Sequence, residues 1–300
     1  MKDNYNKKLN IIYLLSTGRS GSTLLSLLLD NHSSIFSLGE VKNLPAFIRL
    51  HWRCGCGVDI NNCEFWESIL KIYHEDLCAF SLLSTEEGKF KRMLRFLYPT
   101  NISLKDRIRI KLEYEIYNSI LKKTNTNWLV DSSKDFNRLL YLINSKLFNI
   151  KVIFLARDGR GFVNSMKKPL HFQALVRNNL DPMPVWKSSI VWSKRNLINL
   201  CMVTHILKKK DWIMVRYEEL ADNPSKELKR ICSFIGIKYE ESMFDFSKNT
   251  NHNIGGNRMR FKKNQEIKLD EDWKCNLTKK ERVIFSFIGG FVNKILMKIE

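Results

Sequence analysis

The run Tyr13-Leu14-Leu15-Ser16-Thr17-Gly18-Arg19-Ser20-Gly21-Ser22-Thr23-Leu24-Leu25 decides how the chain folds. An apolar stretch stops at a small, hydroxyl-rich turn and restarts with helical spacing, which reads as strand, phosphate loop and helix. Gly18 and Gly21 allow a tight turn, and Ser20, Ser22 and Thr23 supply hydroxyl donors. The new helix aims its unpaired N–H groups and positive dipole end at an anion. The same residues would also serve as a plain glycine turn without a ligand. A nucleoside-triphosphatase loop needs Gly-x4-Gly-Lys-Ser/Thr, and no Lys follows Gly21. Arg19 therefore carries the fixed charge, and its rigid fork of donors suits a phosphate held as a static ligand.

Outward from that run, Lys151-Val152-Ile153-Phe154-Leu155-Ala156-Arg157-Asp158-Gly159-Arg160-Gly161-Phe162-Val163-Asn164-Ser165-Met166 repeats the pattern of buried strand, turn and helix. Strand-like runs at Asn10 to Ser16, Ser34 to Leu38, Trp128 to Asp131, Val152 to Ala156 and Trp212 to Arg216 alternate with helical segments. This predicts an α/β fold, a three-layer sandwich with a central parallel sheet and a phosphate-binding loop, in the manner of P-loop nucleotide-binding folds. Ligands in such sheets gather at the carboxyl ends of the strands, where both turns lie. Asn223-Pro224 is expected to cap a helix with Leu228, Ile231, Cys232 and Ile235 on its apolar face and Gly236 at its end.

The 300 residues, 44% hydrophobic, can bury a large core, and one domain spanning 1–300 is the simplest expectation. Within it, residues from about 61 to 126 form a helical, basic insert bearing Lys89, Lys91, Arg92, Arg95, Lys105, Arg107, Arg109 and Lys111. Such runs are solvated helix faces or, here, a wall that recognises an anionic acceptor. The apolar stretch Val283 to Val292 is well short of the roughly twenty residues a membrane helix needs. It predicts a docked terminal helix at about 278–300 with Ile284, Phe287, Ile288, Phe291 and Ile295 toward the core.

Fifty Lys and Arg against 31 Asp and Glu give a formal charge of +19, which favours polyanionic partners. Seven cysteines at irregular spacing are not the disulfide framework of a small secreted domain. The first strand starts within about nine residues of Met1, leaving no room there for a signal peptide or anchor, so a cytoplasmic protein without a transmembrane segment is expected.

The two phosphate-loop segments together resemble the sulfotransferase family. The resemblance continues through Val130-Asp131-Ser132-Ser133-Lys134, Met214-Val215-Arg216-Tyr217-Glu218-Glu219-Leu220 and His252-Asn253-Ile254-Gly255-Gly256-Asn257-Arg258, leaving residues 45 to 125 unmatched. It is nearest to the branch of tyrosylprotein and Golgi carbohydrate sulfotransferases, since the cytosolic small-molecule branch has Lys where Arg19 stands. In the family the first loop grips the 5′-phosphosulfate of 3′-phosphoadenosine 5′-phosphosulfate (PAPS). An Arg ending the second strand and a Ser eight positions later grip the 3′-phosphate, and Arg157 and Ser165 match that spacing. The resemblance implies PAPS as donor, 3′-phosphoadenosine 5′-phosphate (PAP) as product, and a hydroxyl-bearing acceptor. A glycan, lipid, peptide tyrosine or small metabolite fits, and so does an amine.

Sulfuryl transfer is in-line displacement, so the protein mainly positions and neutralises, with one base for the acceptor proton and one cation for the breaking bond. Glu40 follows the second predicted strand and resembles the Gly-Glu base of tyrosylprotein sulfotransferases; His252 is the competing base. Lys134 resembles the Lys the family places beside the scissile bond, and Arg19 adds charge there. Tyr217 and the Gly255-Gly256-Asn257-Arg258 loop resemble elements that contact the nucleotide. These assignments need no metal.

His51, Cys54, Cys56 and Cys63 could form a Cys3His zinc site, but Cys-x-Cys is tighter than usual, and a redox disulfide or plain reduced thiols fit the spacing better. Two other classes remain in view. A phosphate-loop kinase lacks the Gly-Lys-Ser/Thr and a magnesium-holding acid, and a nucleic-acid-binding protein is motivated by charge alone, without a recognition motif.

Overall fold

Continuous apolar runs have no polar face to offer water, so they become strands covered on both sides. β1 (Leu9–Ser16) is such a run, buried along nearly all its length. The computed structural model describes residues 7–71, 73, 104–168, 182–246, 250–262 and 266–298. With β2 (Ile35–Gly39), β3 (Trp128–Asp131), β4 (Phe148–Ala156) and β5 (Trp212–Arg216), β1 forms a central parallel sheet of five strands in the order β2-β3-β1-β4-β5. β3 pairs with β1 from Asn10↔Trp128 to Tyr13↔Asp131, and β5 with β4 from Val152↔Trp212 to Ala156↔Arg216. β4 begins four residues before the expected Val152, because its first half is partly exposed and mixes Asn149 and Lys151 among apolar residues.

The chain divides into two compact units. The first comprises residues 1–13, 23–151 and 242–263 and carries most of α1 (Ser22–Asp30), with α2 (Leu104–Thr124) and α3 (Phe136–Ser145). Asp135 caps α3 by accepting from the Arg138 N–H at 3.1 Å. Of the basic insert, Lys89, Lys91, Arg92 and Arg95 lie outside the described residues. Arg109 on α2 is turned to internal use, donating to Glu113 at 3.0 Å.

The second unit comprises residues 14–22, 152–241 and 264–300 and carries α4 (Gly159–Met166), α5 (Val185–His205), α6 (Pro224–Ile235) and α7 (Lys279–Leu296). α6 is capped by the Asn223 side chain and ends at Gly236 in the left-handed conformation, with Leu228, Ile231, Cys232 and Ile235 buried. α7 starts with a reciprocal capping box between Thr278 and Glu281.

The buried face of α7 corrects the sequence expectation. Phe285, Gly289, Val292 and Leu296 face inward, whereas Phe287 is 93% and Phe291 75% exposed. Both faces of this helix are apolar, so periodicity alone does not choose between them. Packing chooses: Phe285 meets Trp192 of α5 edge-on at 5.7 Å. A Cβ on Gly289 would stand 2.8 Å from the Phe285 ring and 3.2 Å from Ser193 Oγ, so the helices approach closely on the side that has no side chain. Among the described residues no helix is long and apolar enough to cross a membrane.

Candidate active site

Two turns at carboxyl ends of strands hold most of the residues singled out from the sequence. In the second unit, β1 runs into a loop in which Thr17 and Ser20 are buried and their hydroxyls lie 2.7 Å apart. Arg19 takes a positive φ of 62°, and Gly21 a φ of 83°. Gly21 is needed twice over, since a Cβ there would also press to 2.5 Å from the Tyr217 ring.

Arg157, the first residue after β4, reaches this loop. Its Nη1 donates to the Arg19 carbonyl at 2.9 Å, and its guanidinium lies over the Tyr217 ring, 4.4 Å from the centroid. Nη2 donates to the Asp270 carboxylate at 2.8 Å, while the buried Nε has no partner among the described residues. The Arg19 guanidinium is lowered from its usual pKa, first by lost hydration and then by the like charge of Arg157. An unsatisfied buried donor and two neighbouring guanidiniums make a cradle that favours an anion.

Tyr217 is fixed by its hydroxyl, which donates to the Lys268 carbonyl at 3.3 Å and accepts from the Asp270 N–H at 3.1 Å. Ser165 lies in the last turn of α4, its hydroxyl donating to the Phe162 carbonyl at 2.7 Å. Asp158 caps α4 and grips Arg160, whose guanidinium lies 3.9 Å from the centre of the Trp273 ring. Sequence reasoning missed Asp270, a loop residue far from every motif, whose carboxyl is held low because Arg157 outweighs the cost of burial.

In the first unit, Lys134 Nζ donates to Glu40 Oε1 at 2.6 Å. Glu40 directly follows β2, and its N–H donates to the Ile254 carbonyl at 2.6 Å. Lys134 has a φ of 62°, a conformation uncommon for a side-chain-bearing residue. The turn is held there from several sides. Ser133 N–H donates to Asp131 at 2.9 Å, Lys42 pairs with Asp135, and the buried Tyr13 hydroxyl bridges the N–H and carbonyl of Asp135 at 3.1 and 2.7 Å. Beneath it Arg138 donates to Asp131 at 2.8 Å, to Glu113 at 2.9 Å and to the Tyr117 hydroxyl at 2.7 Å. Tyr13 looked like simple core in the sequence, and nothing there marked its hydroxyl as a brace.

Thr23 Oγ1 accepts from the Asn257 N–H at 3.1 Å, so the glycine loop rests on the start of α1, with Arg258 exposed beside it. His252, the competing base, points elsewhere: its Nδ1 lies 3.3 Å from Cys63 Sγ.

The Sulfotransferase family model matches residues 81–241, more than half of the chain. The chain belongs to the sulfotransferase family. Carbohydrate sulfotransferase 1 of Danio rerio is 27% identical over 135 residues, 38% of this chain and 29% of that protein. The match thus spans less than a third of that relative's length. Among solved structures, the sulfotransferase domain of the Synechococcus PCC 7002 olefin synthase is 20% identical, covers 97% of both chains and has a TM-score of 0.56. The sulfotransferase domain from the curacin biosynthetic pathway is 19% identical, covers 94% of this chain and 98% of its own, and has a TM-score of 0.52. Mouse sulfotransferase SULT7A1 complexed with PAP is 13% identical, covers 98% and 90%, and has a TM-score of 0.50. At these identities the likeness is one of fold, the P-loop-like α/β fold of sulfotransferases.

Proposed function

We propose that this sulfotransferase moves a sulfuryl group from PAPS to a hydroxyl on an acceptor. The observation that carries the reading is Arg157, seated on the Arg19 carbonyl with a buried Nε still seeking a partner. Such a cradle suits a nucleotide with phosphates at two positions. Arg19 to Thr23 would hold the 5′-phosphosulfate, and Arg157 with Ser165 the 3′-phosphate, Tyr217 propping Arg157 from below. The mouse relative of the same fold was solved with PAP, the nucleotide that remains when PAPS has given up its sulfuryl group.

Glu40 would take the proton of the acceptor hydroxyl as its oxygen bonds to sulfur, while the bond from sulfur to the bridging phosphate oxygen breaks. Lys134 and Arg19 would steady the charge that collects on that oxygen. What supports the pairing of base and cation is that Lys134 Nζ donates to Glu40 Oε1 at 2.6 Å, just beyond the paired ends of β2 and β3. Arg258 on the glycine loop would close on the nucleotide. The surplus of positive charge fits an anionic acceptor, and neither the kinase nor the nucleic-acid reading has support from the family or the fold.

The test pairs calorimetric PAP binding with turnover of radiolabelled PAPS against fractionated extract. Glu40→Gln and Lys134→Ala should keep PAP affinity and lose about 10²–10³-fold in turnover, as when one preorganised group is removed elsewhere. Arg157→Ala should lose PAP affinity itself. Near-full turnover in Glu40→Gln with intact PAP binding would remove Glu40 as base, and failure of the wild-type chain to bind PAP would overturn the whole reading.

A further inference from the structure

Cys54, Cys56 and Cys63 converge with His252, a partner some two hundred residues away in the chain, and not with His51. His51 instead pairs with Asp59 at 3.0 Å. The four ligand atoms all lie within 4.8 Å of one another. Cys54 and Cys63 Sγ are 3.6 Å apart, as are Cys56 and Cys63, and His252 Nδ1 stands 3.6 Å from Cys54 and 3.3 Å from Cys63. A tetrahedron with zinc–sulfur bonds near 2.3 Å and a zinc–nitrogen bond near 2.0 Å has edges of about 3.8 and 3.5 Å. Four of the six separations fall within about 0.2 Å of those edges, and the sulfur–sulfur distances are far longer than the roughly 2.05 Å of a disulfide. All three cysteines are free.

The local backbone shapes this convergence. Cys54 N–H donates to the Val58 carbonyl at 2.8 Å and Gly57 N–H returns to the Cys54 carbonyl at 2.9 Å, a tight hairpin that brings Cys56 beside Cys54 despite the single residue between them. Cys63 follows a 3-10 turn at Ile60–Asn62. The His252 ring stacks on Phe65 at 4.7 Å, and its carbonyl accepts from Trp66 Nε1 at 2.9 Å, so the imidazole is held on both sides.

A second observation points to an anionic centre here. Arg260 is only 2% exposed and has no carboxylate partner among the described residues. Its guanidinium donates to the carbonyls of Gly255, Gly256 and Arg53, leaves Nε unpaired, and lies within the electrostatic reach of Cys54 and of Glu40. A buried cation demands a countercharge. Three thiolates, one neutral imidazole and one divalent ion carry a net charge of −1, which adds to the negative charge that Glu40 already presents to Arg260.

We propose that Cys54, Cys56, Cys63 and His252 bind one zinc ion in a closed Cys3His site. Four protein ligands leave no open position, so the ion is structural and takes no part in sulfuryl transfer. Soft sulfur donors in tetrahedral array select zinc over hard divalent cations. Its work is to tie the 252–260 segment to the 53–63 segment. The former also pairs with the strand end before Glu40, through Glu40 N–H to the Ile254 carbonyl at 2.6 Å and Ile254 N–H to the Leu38 carbonyl at 3.2 Å. The ion would thereby brace the turn that presents Glu40.

Elemental analysis of the full chain, purified without chelators, should find about one zinc per chain. Zinc-edge X-ray absorption should fit three sulfurs and one nitrogen, and cobalt substitution should give thiolate charge-transfer and tetrahedral d–d bands. Cys63→Ser and His252→Ala should lose the metal, while His51→Ala keeps it. Where those variants fail to fold, the absorption fit on wild-type protein decides. Zinc at background level in folded wild-type chain, a Cys54–Cys63 disulfide in protein purified without air, or an oxygen-rich coordination shell would each overturn the site.

Discussion

The turns after β3 and β4 begin alike, each with a charged residue at a strand's carboxyl end, yet they differ in what their charges touch. After β3 every charge meets another: Asp131 with Arg138, Glu113 with Arg138 and Arg109, Asp135 with Lys42, Lys134 with Glu40. After β4, Arg157 has one carboxylate, the half-exposed Asp270, and a buried donor without a partner. Each turn keeps one buried atom without a partner among the described residues, Glu113 Oε2 in the first and Arg157 Nε in the second, so the difference is one of charge: opposite charges offset one another around Arg138, whereas Arg157 stands beside the like charge of Arg19.

The largest test of that contrast is stability. Arg138→Met leaves the buried Asp131 without its cation and takes one of two from Glu113, and should cost about 3–5 kcal/mol in urea melts. Arg157→Met removes a pair with a half-exposed partner and one hydrogen bond, and should cost about 1 kcal/mol. Equal losses would erase the distinction.

Acid should then act on the first turn. Burial alone would raise Glu113, but Arg138 and Arg109 outweigh it and hold the carboxyl below its ordinary value. Its contribution is therefore complete above the unfolded value near about 4.3 and is lost as pH falls through the lower folded value. Thermal melts from pH 7 to pH 3 should show this loss in wild type and a shallower one in Glu113→Gln, which is already less stable at pH 7. A parallel decline in both would clear Glu113 of the effect.

The smallest effect concerns the second turn. Asp270→Asn removes the anion that competes for Arg157, and calorimetry should find PAP bound roughly two- to fivefold tighter, the scale of a partly exposed ion pair. Weaker binding would instead make Asp270 a support of the nucleotide site.

Much of this was legible in the residues. The run at Tyr13 to Leu25 and its echo at Lys151 to Met166 announced strand, turn and helix because apolar runs and glycines constrain the backbone locally. The caps of α6 lay in plain view for the same reason. The buried side of α7 did not, since two apolar faces satisfy one periodicity and only the close approach at Gly289 separates them. The fourth member of the thiol cluster was equally hidden. Proximity in sequence favoured His51, while the fold delivers His252.

By itself, then, the amino-acid order determined the main elements, the α/β class and the place of the turns after β1 and β4, because helix, strand and turn preferences act over a few residues. Tertiary structure alone decided which far-apart side chains meet: Asp270 on Arg157, Tyr13 under the Lys134 turn, His252 on three thiols. Those meetings depend on chain segments packed from distant positions, and no local pattern encodes the partner of a side chain whose neighbours arrive only when the core closes.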